Sequence, residues 1–286
     1  MTKVAVCAHS ERREVVALVE QSMAWLVERG HEGWVLPADA ADLGLVHLAG
    51  ERDLAEADVV LCLGGDGTML RAVGLLDGAP VPLLGVNLGQ LGYLTEIEPG
   101  DLADSLDRVV RGERDGGWHL DVRLMVGIDI DRADVSLGHW RALNEVVVEK
   151  SASGHVVNLL ARIDGEPFTS FAADGLIVAT PTGSTAYSLS ARGPVVSPRH
   201  RALLLTPVSP HMLFDRTLVL DPSEVVEIEV TGHRRAEVAV DGRVVLELEP
   251  GDVVRCRPAD ETAAFVRFGP YRYHQILKSK FGLTDR

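Results

Sequence analysis

Cysteine is scarce in this chain: Cys7, Cys62 and Cys256 are the only three among 286 residues, and no two of them form a CxxC pair. That excludes a disulfide framework and a thiolate zinc site. Each sits in a strand-like context, so buried free thiols in a reducing cytosol are the simpler expectation. Long apolar runs are also missing, and nothing approaches the ~20 residues that a membrane helix needs. The first residues, one lysine and then Val4-Ala5-Val6, are too short for a signal peptide, with Arg12 and Arg13 close behind. A soluble, cytoplasmic protein is expected. Positive charge is in deficit as well: 28 Lys plus Arg stand against 42 Asp plus Glu, a formal charge of −14. Such a chain is not expected to bind nucleic acid or an anionic membrane. A phosphate-bearing ligand would have to be attracted locally, by N–H groups, a few arginines and a metal ion. The common nucleotide devices are absent too. There is no GxxxxGK[ST] loop, no GxGxxG opening a helix, no protein-kinase signature set and no HExxH.

What is present is a chain long enough for two domains, with 46% apolar residues to fill their cores. It is organised around Val59-Val60-Leu61-Cys62-Leu63-Gly64-Gly65-Asp66-Gly67-Thr68-Met69-Leu70. The unbroken apolar run reads as a strand buried on both faces, and Met69, Leu70, Val73 and Leu76 read as a helix after it. Glycines admit a ligand close to the backbone, and the first helical turn offers unpaired N–H groups to phosphate. An aspartate in such a loop makes sense if it holds a divalent metal or accepts a proton from an attacking hydroxyl. The plainer alternative is a tight Asp-Gly turn.

Around this unit the pattern is α/β. Strands are expected at 4–8, 33–36 and 82–87. Helices are expected from Glu11 to Arg29 and from Asp101 to Arg111, and a mixed loop and helix over 38–57. The loop 88–93 should share a sheet edge with the Gly-Gly-Asp-Gly loop, where open α/β folds bind ligands. Near Gly116-Gly117 the period changes to two: Leu120, Val122, Leu124, Val126, Ile128 and Ile130 alternate with mostly polar residues. Asp164-Gly165 and Asp241-Gly242 read as hairpin turns. The expected organisation is an α/β domain over 1–117, with a Rossmann-like parallel sheet, and an all-β sandwich over 118–264. A terminal segment, 265–286, holds a strand at 265–268 and a helix from Tyr273 to Lys280.

Two further stretches carry polar groups where apolar ones are expected. Asn144-Glu145 interrupts a strand, and burying an unpartnered amide costs about 1–3 kcal/mol. Sugar hydroxyls would satisfy the pair; a solvated strand end is the alternative. Thr180-Pro181-Thr182-Gly183-Ser184-Thr185-Ala186-Tyr187-Ser188 concentrates six hydroxyl residues. These suit close approach to a polar ligand, or the capping of a helix running to Ser190 by Ser184 or Thr185.

Taken together, Gly64-Gly65-Asp66-Gly67-Thr68, Asn144-Glu145, Asp174-Gly175 and Thr180 to Tyr187, in that order and spacing over about residues 58 to 245, resemble the bacterial NAD kinases. The first element is shared with diacylglycerol, sphingosine and phosphofructo-kinases; the combination is specific. The resemblance implies transfer of the γ-phosphoryl of ATP, or of polyphosphate, to the 2′-hydroxyl of the adenosine ribose of NAD, giving NADP. It implies a divalent cation such as Mg²⁺ with no ligand residues specified, a dinucleotide between the two domains, and a homodimer or homotetramer. Asp66 matches the catalytic aspartate, Gly67 and Arg71 the loop contacts, and Asn144 and Glu145 the pair that binds the nucleoside. Asp174, Thr182, Thr185, Ala186, Tyr187, Ser188, Leu189 and Ser190 match further dinucleotide contacts. His155 falls at a contact position where an arginine can occur, Ala172 stands where an arginine can precede Asp-Gly, and Arg243 where a glutamine can occur. A lipid or other small-molecule kinase, and a catalytically silent dinucleotide sensor, are the competing readings.

Overall fold

The computed structural model describes residues 1–9, 14–133, 135–152 and 154–283. It divides into two compact units, one formed by 1–122 with 263–286 and the other by 123–262.

The first unit begins with β1 (Lys3–Ala8), α1 (Glu14–Glu28), β2 (Glu32–Val35) and α2 (Pro37–Leu43). The expected helix start at Glu11 lies outside the described residues. Then come β3 (Val59–Gly64), α3 (Asp66–Leu76), β4 (Leu83–Asn87), α4 (Leu102–Val110) and a short α5 (Glu113–Gly116). The four strands are parallel in the order β2-β1-β3-β4. Every residue of β3 and β4 is buried, which is why both read as unbroken apolar runs. On one face Val15, Val19 and Leu26 of α1 and Leu102 and Leu106 of α4 close over Val4, Val6, Leu61, Leu63, Leu84 and Val86. The ambiguous stretch 38–57 holds α2 and two 3₁₀ turns, Val46–Leu48 and Leu54–Glu56.

The second unit is built from β5 (His119–Arg132), β6 (Val135–Ala142), β7 (Glu145–Lys150), β8 (Val157–Ile163), β9 (Glu166–Ala173) and β10 (Gly175–Ala179). A four-residue helix α6 (Tyr187–Ser190) precedes β11 (Leu203–Val208), β12 (Leu218–Leu220), β13 (Val226–Thr231), β14 (Ala236–Val240), β15 (Arg243–Leu248) and β16 (Val253–Arg267). One sheet is antiparallel and six-stranded, in the order β12-β11-β10-β7-β14-β15. Facing it are β9, β8, β13 and β16, with the β5–β6 hairpin joined through β16. Side chains alternating inward from both layers, such as Val146, Val148, Leu176, Val178, Leu159, Ala161, Ile228 and Val254, form one sandwich core. Asp164-Gly165 and Asp241-Gly242 both turn hairpins, and both aspartates adopt positive φ.

The end of β16 returns to the first unit, where Phe265 pairs in parallel with Leu83. The chain ends in α7 (Tyr273–Lys280), part of the same unit. Cys7, Cys62 and Cys256 are buried free thiols. No described helix is long and apolar enough to cross a membrane.

Candidate active site

In the first unit β1, β3 and β4 end at one sheet edge. Asp66 is the first residue of α3, with Gly65 at the N-cap in an extended conformation. Its two carboxylate oxygens accept backbone hydrogen bonds from the loop after β4. Tyr93 N–H donates to Oδ2 at 2.8 Å and Leu94 N–H to Oδ1 at 2.9 Å. The loop lies directly against the carboxylate, because a Cβ at Gly92 would stand 2.3 Å from Asp66 Oδ1. Gly64 has no room either: Thr68 Oγ1 would be 2.1 Å from its Cβ. Gly64 and Gly92 thus serve close packing, a Cβ at Gly65 or Gly67 would meet open space, and among Gly64, Gly65 and Gly67 none has positive φ. Each carboxylate oxygen keeps lone-pair capacity for a ligand beyond its one N–H bond. Gly67 is exposed beside it.

Arg71, one turn further along α3, is tied down. Its guanidinium grips buried Asp39 of α2 with two bonds of 2.6 Å, and Nη2 also donates to Ala8 O at 2.8 Å and to Cys7 Sγ at 3.1 Å. Asp39 in turn accepts from Ala8 N–H at 2.7 Å. The side-chain bonds to Asp39 hold the Arg71 guanidinium firmly protonated. Asp39 sits in the stretch whose periodicity says little, and nothing there marks it as a partner.

In the second unit the Asn144-Glu145 and Thr180–Ser190 stretches meet. Thr180 Oγ1 donates to Leu143 O at 2.5 Å, Thr180 N–H donates to Asn144 O at 2.8 Å, and a Cβ on Gly183 would stand 2.1 Å from Asn144 O. Asp241, at the tip of the β14–β15 turn, supplies the anchor. It accepts from Leu143, Asn144 and Glu145 N–H at 2.8, 2.8 and 3.2 Å, and returns its own N–H to Glu145 O at 3.0 Å. In sequence Asp241 reads only as a turn residue, since its partners lie about a hundred positions away.

Glu145 is 6% exposed, and its Oε2 has no hydrogen-bond partner. Burial, then the Asp241 charge, push its carboxyl up to about 8, while the Tyr187 backbone N–H pulls the other way. A neutral acid there can both donate to and accept from a ligand hydroxyl. The half-buried Asn144 side chain makes no hydrogen bond to another described residue. The same shift governs stability. Between about pH 4.5 and 8 the folded Glu145 holds a proton that the unfolded chain has lost, so it erodes stability as pH rises through that window. Glu145→Gln is therefore expected to unfold at a higher temperature than the parent at pH 8, with the gap closing towards pH 4.5. Parallel melting curves that ignore pH would contradict the assigned burial.

The hydroxyl-rich stretch does not cap a helix. A 3₁₀ turn, Gly183–Thr185, runs into α6, and neither has a side-chain cap bond. The hydroxyls instead hold the loop itself. Ser184 Oγ donates to Pro181 O at 2.7 Å and accepts from Val196 N–H at 3.0 Å, and Ser188 is fully buried against Thr206 at 3.1 Å. Thr182 accepts from Arg123 Nη1 at 3.3 Å, and Thr185 reaches Thr182 O at 3.4 Å. Tyr187 and Ser190 are exposed; Ala186 and Leu189 are half-buried. Burial, then the charges of Glu149, Asp174 and Glu145, raise the Tyr187 phenol. Asp174 is paired with Lys150, and His155 is exposed between β7 and β8.

A carboxylate fixed in a glycine loop at the ligand edge of a parallel sheet suits an enzyme that acts on a hydroxyl of a phosphate-bearing ligand. Family models bear on which one. The ATP-NAD kinase N-terminal domain matches residues 4–114 and the ATP-NAD kinase C-terminal domain residues 143–268. The chain belongs to the ATP-NAD kinase family. It is 36% identical to the NAD kinase of Syntrophotalea carbinolica over 289 residues, covering 100% of both chains. Identity to the NAD kinase of Symbiobacterium thermophilum is 38% over 287 residues, covering 99% of this chain and 100% of the other. The fold matches yeast NADH kinase complexed with NADH with a TM-score of 0.87 at 25% identity, covering 100% of this chain and 89% of that one. The Archaeoglobus fulgidus NAD kinase in complex with ATP shares the fold with a TM-score of 0.71 at 24% identity, covering 98% and 97%.

Proposed function

We propose that the protein phosphorylates the 2′-hydroxyl of the adenosine ribose of NAD, with ATP as donor and NADP as product. The observation that carries this is Asp66: a carboxylate oriented by two backbone N–H groups at the mouth of a glycine loop. Asp66 orients the ribose hydroxyl and accepts its proton as the oxygen attacks the γ-phosphorus; the bond from that phosphorus to the β,γ-bridging oxygen breaks and ADP leaves. The family resemblance assigns Gly67, Arg71, Asn144, Glu145, His155, Asp174, Thr182, Thr185, Ala186, Tyr187, Ser188, Leu189 and Ser190 to substrate contact.

Within this reading the residues differ in role. Arg71 acts through Asp39 and the end of β1, and Thr182 and Ser188 shape the loop rather than present hydroxyls. Asn144 and Glu145 offer an amide and an unpartnered acid oxygen to ribose hydroxyls. Among the described residues no group of three or more His, Cys, Asp or Glu could hold a metal ion, so a Mg²⁺ would be held chiefly by the donor's phosphates and water. Bound there, the cation would neutralise phosphate charge in an acidic protein. Polyphosphate as an alternative donor, a homodimer or homotetramer, and a cytoplasmic location complete the proposal.

Incubation with NAD or NADH, ATP or polyphosphate, and Mg²⁺, followed by a NADP-specific cycling assay, tests it. NADP formed from NAD and ATP is the expected result; no phosphorylated dinucleotide from any pairing would refute the reading.

A further inference from the structure

We infer that Tyr271, supported by Arg267, is a positioning residue for Asp66 and acts through a single peptide group. The inference rests on the reading of Asp66 as the reacting carboxylate. Leu94 N–H donates to Asp66 Oδ1 at 2.9 Å, and the carbonyl of that same peptide group, Tyr93 O, accepts from Tyr271 Oη at 3.0 Å. One peptide therefore links a phenol on the C-terminal segment to the carboxylate on α3. The next carbonyls are held as well: Arg267 Nη1 donates to Leu94 O at 3.2 Å and to Thr95 O at 3.0 Å.

Arg267 is 1% exposed and cannot swing away, because Glu96 at 3.0 Å and Asp121 at 3.3 Å hold its charge. Its guanidinium carbon lies 4.9 Å from the centre of the Tyr271 ring, so the two groups brace each other. Tyr273 stacks on Tyr271 at 6.0 Å, and Lys280 covers the Tyr93 ring at 4.9 Å, docking α7 behind the loop. All of these residues belong to the first unit.

The arrangement does two things. A carbonyl that accepts a hydrogen bond makes its own peptide N–H a stronger donor, by about 10–30% per bond. It also stops the peptide plane from rotating. That matters here because the loop 88–95 contains Gly89 and Gly92 and is largely exposed up to Leu91. A shift of about 1 Å in a reacting group can cost on the order of 100-fold in rate.

Tyr271→Phe tests this, because it keeps the ring and its stacking and removes only the hydroxyl. The expected result is a fall in kcat of about 5- to 20-fold, with KM for NAD and ATP within about twofold and the melting temperature nearly unchanged. In an Asp66→Asn background, followed by the cycling assay, the Tyr271→Phe loss should vanish, since the carboxylate it positions is gone. Lys280→Ala removes a contact to the Tyr93 ring but none to the Tyr93–Leu94 peptide, and should leave kcat unchanged. A wild-type kcat in Tyr271→Phe, a loss confined to KM, additive losses in the double variant, or an equal loss in Lys280→Ala would each overturn the relay. Full turnover in Asp66→Asn alone would instead remove the reading on which it rests.

Discussion

Asp66→Asn is expected to lose about 10²–10⁴ of the wild-type turnover, the range set by removal of a positioned general base. In barrier terms that is about 3–5 kcal/mol. Asparagine has the same shape, so the loss reports charge and proton affinity rather than volume. The substitution has a second, smaller consequence that follows from the geometry. Both carboxylate oxygens accept a backbone N–H, but an amide presents one oxygen and one NH₂. One loop N–H would then face a donor, and a stability loss of about 1–2 kcal/mol is expected. NAD affinity, measured by calorimetry without ATP, should change only a few-fold, because the proposed reading gives the nucleoside to Asn144 and Glu145. Wild-type turnover in this variant would take Asp66 out of the chemistry.

Asp241→Ala is expected to be the most damaging change in the second unit, at about 3–5 kcal/mol of stability with a tenfold or larger rise in KM for NAD. Three N–H groups lose their acceptor at once, those of Leu143, Asn144 and Glu145. Alanine must also adopt φ of 45°, which aspartate and asparagine tolerate better. Asp241→Asn separates the two effects. It suits the turn and keeps one oxygen, so a loss of about 1–2 kcal/mol is expected. Denaturant unfolding and a NAD titration measure both quantities. Equal unfolding midpoints and equal affinities for the parent and the two variants would show that the Asp241 anchor does not govern the Leu143–Glu145 segment.

Both predictions concern groups that the sequence reveals unequally. The Gly-Gly-Asp-Gly loop stands out because a buried parallel strand, a glycine turn and an amphipathic helix are local patterns, each readable within a dozen residues. The alternation from Leu120 and the two Asp-Gly hairpins are local in the same way, and with the motif spacing they carry the family resemblance. Its span of about 58 to 245 is exceeded by the family models, which reach from 4 to 268 with a gap at 115–142. The hydroxyl-rich stretch was legible as a loop but not in its purpose. Ser184, Ser188 and Thr180 bond inward to Val196, Thr206 and Leu143, which sequence order separates from them by 12, 18 and 37 positions.

By itself, then, the sequence determined the α/β and sandwich classes, the helix at Tyr273–Lys280, the absence of disulfides and the place of Asp66 between a buried strand and a helix. Only the tertiary structure decided that Asp39 neutralises Arg71, that Asp241 anchors the Leu143-Asn144 bend and the start of β7, and that Tyr271 reaches Asp66 through the Tyr93–Leu94 peptide. The physical reason is range. Periodicity and turn chemistry are set by neighbours along the chain. A hydrogen bond between residues 32, 97 or 178 positions apart is set by how sheets and loops stack, and leaves no local trace in either partner.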